Sequence, residues 1–188
     1  MRTLFFGLCL FISGSLFSQQ KFLPTVKSGT KMQYMANVDG QDVPVGFSID
    51  SATADFLKIG WSVEGYGDGT WVMNKKSLES ATSSSGENPQ PGVEVVLPDD
   101  QLMLVLSRQQ WKALQDSKKM VHNGTNYVLV PSSSQNELKL GDKSVDVLYV
   151  ESDNKSSKIW ILNNPFLPVM LKVVGNPNGP DLNVLSIN

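Results

Sequence analysis

Short runs rich in β-branched and aromatic residues, each cut off by Gly, Pro, Asn or Asp, recur along nearly the whole of this 188-residue chain. Such spacing leaves little room for long helices and predicts a sheet of many short strands. Residues 30–39 alternate around Met32, Tyr34 and Ala36, and residues 45–49 and 56–63 continue the pattern. Gly65-Tyr66-Gly67-Asp68-Gly69 turns the chain into a strand at 71–73. Further strands are expected at 127–130 after the Asn123-Gly124 turn, and at 137–140, 145–150, 158–162, 169–174 and 182–187. Residues 83–92, rich in Ser, Gly and Pro, read as a flexible surface loop.

One region breaks the pattern. Pro98-Asp99-Asp100 offers a cap with acid in the first turn, and residues 102–106 with Trp111 and Leu114 supply an apolar side. A helical insertion is therefore expected near 99–116. Ser107 and Gln110 resemble a capping box, which would divide it into two short helices. The expected fold class is mainly β, a β-rich α+β domain. A single curled antiparallel sheet or half-barrel would pack on one or two helices, since large twisted sheets curl or close.

The first eighteen residues read as an export signal. Arg2 supplies the positive start, residues 4–12 the apolar centre and residues 13–18 the small residues for cleavage before Gln19. The apolar run is shorter than the ~20 residues a spanning helix needs. Residues 19–188 then form one domain, placed in the periplasm or outside the cell. Cys9 is the only cysteine, so cleavage leaves a fold held by its core alone.

Charge and motif content narrow the function classes. The 16 Lys and Arg residues balance against 18 Asp and Glu and form no basic face, which argues against nucleic acid as a partner. His122, the sole histidine, adjoins a turn and is expected to be exposed there rather than to act as a base. With one histidine and one cysteine, no zinc site and no cofactor are expected. Ser28-Gly29-Thr30-Lys31 and Ser152-Asp153-Asn154 imitate serine-lysine enzyme elements. Their order is wrong, because Lys27-Ser28-Gly29 overlaps the first element instead of following both. The carboxylate pairs Asp39/Asp42, Asp99/Asp100 and Glu151/Asp153 match no calcium loop and read as turn or cap residues.

The four tryptophans, Trp61, Trp71, Trp111 and Trp160, carry more. Core packing is the default, but Trp61, Trp111 and Trp160 are the candidates to line an apolar ligand site on the concave side of the sheet.

Gly40 followed by Val45-Gly46, Leu97-Pro98-Asp99, Trp160-Ile161 before Pro168-Val169, and a closing strand through Leu182 and Leu185 set a layout across much of the chain. That layout resembles exported bacterial envelope proteins with the half-barrel of lipoprotein-carrier-like families. The resemblance implies apolar-ligand carriage or an envelope role, without catalysis. The leading expectation is an exported, non-catalytic protein holding a lipid or other apolar molecule in a curled sheet. The alternatives are a structural or protein-interaction module of the envelope and a hydrolase with an unrecognised site.

Overall fold

The computed structural model describes residues 21–86 and 88–188. The expected export signal at residues 1–18, Cys9 included, lies outside them. β1 (Lys31–Val38), β2 (Gln41–Ala52), β3 (Phe56–Val63) and β4 (Gly67–Asn74) form a meander. The short α1 (Lys75–Ser80), β5 (Ser83–Ser84), β6 (Glu94–Val96), β7 (Gln101–Leu102) and α2 (Arg108–Asp116) lie between it and a second meander. That second half contains β8 (Lys119–His122), β9 (Thr125–Val130), β10 (Lys139–Leu140), β11 (Lys143–Ser144) and β12 (Val147–Ser152). It ends with β13 (Lys158–Leu162), β14 (Met170–Val174) and β15 (Asp181–Ile187).

Eleven strands form one sheet in the order β6-β4-β3-β2-β1-β15-β14-β13-β12-β9-β8. The last strand pairs antiparallel with the first, which welds the two meanders together. Every pair in this sheet is antiparallel except β4 with β6, which run parallel. The sheet stays open, with β6 and β8 as its edges. Two of its hairpins turn at Asp39-Gly40 (φ 52 and 81) and Asn123-Gly124 (φ 50 and 71). Both central residues are left-handed there, the backbone of a turn whose twist matches the flanking strands.

Burial follows the two-residue period of a strand. Met32, Tyr34 and Ala36 of β1 are buried while Lys31 and Gln33 are exposed. Across the ladder Tyr34 meets Val45, Phe47 meets Trp61 and Ile59 meets Trp71, so the apolar faces line up on one side. β13 is covered on both faces. Ile159 and Ile161 pack with Leu106 and Leu114 under α2, while Trp160 and Leu162 join Val26, Leu138 and Val145 on the other side.

The helical region differs from expectation. Only Arg108–Asp116 is helical, and Gln101–Leu102 is strand. Leu104 takes φ 64, Val105 bridges Val169, and Leu104 and Leu106 exchange backbone hydrogen bonds with Met170 and Pro168. An extended segment buried on all sides shows the same continuous apolar run as a helix face. Asp99 caps no helix and instead accepts from Asn74 and Lys76 at 2.8 and 2.9 Å. The helix start lies at Ser107, where the predicted capping box is present.

Candidate functional site: an apolar cavity in the curled sheet

Trp71 on β4 and Tyr127 on β9 stand eight strands apart in the sheet order. In a flat sheet that separation would be about 38 Å at ~4.8 Å per strand. Both residues line one cavity of about 540 Å³, so the sheet curls around it. The inward positions of β1, β2 and β3 supply one wall through Ala36, Val45, Phe47, Trp61 and Val63. Ile159, Met170, Val173 and Leu182 supply the facing wall from β13, β14 and β15. Met103 and Leu104 contribute from the extended segment before α2.

Aromatic rings organise the first wall. Trp61 lies 5.9 Å from Trp71 and 6.0 Å from Tyr66 between ring centroids, and Phe47 lies 6.3 Å from Trp71. The Trp61 ring can lie flat on its neighbour strand because Gly69 stands opposite it. A Cβ at Gly69 would fall 2.8 Å from the indole Cζ2. Residues 84–86 with Asn88 and Pro89, and Asn176 with residues 178–180, line the cavity as well, and the Tyr66 hydroxyl donates to the Pro89 carbonyl at 2.7 Å. The segment expected to be a free surface loop thus begins as strand β5, paired with β7, and lines the cavity.

A polar station interrupts the apolar wall. His122 is 4% exposed, a correction to the exposed turn residue expected from its neighbours, because only Asn123-Gly124 occupies the turn itself. The ring packs between α2 and β5. The Gln110 amide is oriented by two backbone groups: its Oε1 accepts from Ser107 N at 3.0 Å and its Nε2 donates to the Val121 carbonyl at 2.7 Å. That same Nε2 lies 3.2 Å from His122 Nδ1, which must therefore accept. The ring proton sits on Nε2 and points to Ser84 Oγ at 3.1 Å. Burial lowers the imidazole pKa to about 4, so the ring is neutral.

This arrangement is the reverse of an activated serine. A nucleophilic hydroxyl hands its proton to a free ring nitrogen, with an acceptor orienting the other side. Here Ser84 receives the ring proton and Gln110 supplies a donor. Among the described residues, no group of His, Cys, Asp and Glu could hold a metal ion. The carboxylate pairs serve local roles: Asp42 accepts from Asn37 at 2.9 Å, and Glu151 from the Tyr149 hydroxyl at 2.5 Å.

Of the three tryptophans singled out in the sequence, only Trp61 lies on the cavity wall. Trp160 neighbours Ile159 in β13, and strand alternation turns it to the opposite face. There it donates to the Asn136 carbonyl at 2.8 Å, lies tilted against Tyr149 with ring centroids 4.7 Å apart and sits under the Lys172 ammonium. Trp111 sits half-buried on α2. Trp71, Tyr127 and His122 are among the lining residues that sequence reasoning left out. For Trp71 the inward alternation of β4 was the available signal, whereas His122 had none.

No family model matches the chain, and no curated protein and no solved structure matches it. Among the described residues no helix is long and apolar enough to cross a membrane.

Proposed function

We propose that this protein is an exported, non-catalytic binding protein that holds an apolar small molecule or single lipid in the concave side of its curled sheet. The observation that carries this reading is the cavity itself. A monomeric fold without a ligand gains by collapsing such a space, since unfilled apolar walls forgo both burial and dispersion contacts. Its volume, about 540 Å³, lies in the range of ~300–1,000 Å³ typical of sites for one small molecule. Trp61, Trp71 and Phe47 provide the rigid aromatic surface on which affinity for an apolar body depends.

The test is native purification of the mature protein followed by mass spectrometry of its organic extract, with binding of a fluorescent apolar probe measured alongside. A co-purified apolar compound and saturable, displaceable probe binding are the expected results. An empty extract together with no displaceable binding would sink the reading. Export is checked separately by cell fractionation and by N-terminal sequencing of the mature chain, which is expected to begin at Gln19.

A further inference from the structure

The cavity wall also constrains what kind of ligand it admits, an inference that rests on the binding role proposed above. Among the described residues that line the cavity there is no Lys, Arg, Asp or Glu. Several of the polar groups on the wall are already engaged by the protein. The Tyr66 and Tyr127 hydroxyls bond to the Pro89 carbonyl and to Ser157 Oγ, at 2.7 and 2.8 Å. Asn123 Oδ1 accepts from Ser84 N at 2.7 Å, and both ring nitrogens of His122 are occupied. Besides the Trp61 and Trp71 indole N–H groups, a further donor comes from Ser84. Its oxygen receives the His122 ring proton, which leaves the serine's own hydroxyl proton as a donor at the cavity wall. A ligand there meets neutral donors and, among the described lining residues, no counter-charge.

We infer that the cavity selects an uncharged ligand, an apolar body carrying a neutral hydrogen-bond acceptor such as an ester, ether or amide oxygen that takes the Ser84 proton. A carboxylate or ammonium amphiphile of the same length would leave water without a counter-charge to replace its hydration and is rejected. The polar station acts as a sieve on head-group charge, and the apolar wall supplies the affinity.

The experiment displaces a neutral fluorescent probe, N-phenylnaphthylamine, from the purified protein at neutral pH. Three competitors of equal chain length are compared below their micelle concentrations: a methyl ester, the matching carboxylate and the matching trimethylammonium. The ester is expected to compete at concentrations on the order of tenfold lower than either charged form, a difference of about 1.4 kcal/mol. A carboxylate or ammonium that competes as well as the ester overturns the inference, since its charge would then rest in water at the mouth. Failure of the probe itself to bind overturns the binding role instead, so the two failures are distinct. Ser84→Ala is expected to weaken the ester severalfold, with Ser84→Thr restoring it. An ester that binds the Ala variant undiminished removes Ser84 as the donor.

Discussion

His122 carries a pH dependence that can be assigned to a single side chain. It is the only histidine of the chain, its two hydrogen-bond partners are uncharged, and burial lowers its pKa from 6.5 to about 4. Well above pH 6.5 the ring is neutral in the folded and unfolded chain alike and contributes no slope. Below that value the unfolded chain takes up a proton that the fold refuses, so stability declines until the folded ring itself protonates near 4. Carboxylates titrate mainly near 4, which leaves the interval from about pH 6.5 to 5 to this residue. Urea unfolding is expected to show about 2 kcal/mol less stability at pH 5 than at neutral pH. His122→Gln should flatten that interval, and the ring signals in an NMR titration should keep their neutral positions across it. A histidine signal moving with a midpoint near 6.5 would place the ring in water and dissolve the polar station.

At the scale of elements, α2 positions this residue through its own first turn. Ser107 Oγ accepts from Gln110 N at 3.3 Å, and the Gln110 side chain returns to Ser107 N before reaching His122. Ser107→Ala is expected to cost about 1 kcal/mol in unfolding free energy and to shift the His122 ring resonances, while Ser107→Thr keeps both. Unmoved resonances in the Ala variant would separate the cap from the imidazole. The cap was legible because Ser-x-x-Gln is a local signal, and most strands were legible because alternation and turn residues are local too. The segment 102–106 was misread because an apolar run buried all round carries no period. α1 escaped notice because it spans six residues and rests mainly on Asn74, which caps Lys76 N and Ser77 N. The site itself was only half legible. Trp61 follows from alternation, but His122 meets Ser84 across 38 residues, and that pairing depends on how β5, α2 and β8 come together.

At the scale of the whole molecule, the cavity and the fold's stability are one question. Residues 21–188 contain no cysteine, so the fold has only its core to hold it. That core is interrupted where the curled sheet forms a cavity of about 540 Å³ between β1–β4 and β13–β15. An occupant completes the contacts that the walls lack and binds the folded state alone, so it must stabilise by mass action. At a free concentration a hundred times its dissociation constant the gain is about 2.7 kcal/mol. For a domain of this size that corresponds to a rise of roughly 5–10 °C in Tm. The two tryptophans on opposite faces separate this effect from packing in general. Trp61→Ala is expected to remove much of the ligand-dependent rise, because the ring forms part of the cavity wall. Trp160→Ala is expected to lose about 3–5 kcal/mol of stability without ligand, since its ring is buried against Tyr149 on the other face, yet to keep the increment. Differential scanning calorimetry of both variants, with and without the neutral ester, reads the two effects independently. Equal loss of the increment in both variants would mean that the ligand senses global stability and not the concave wall, and the cavity would then be a packing defect instead of a site.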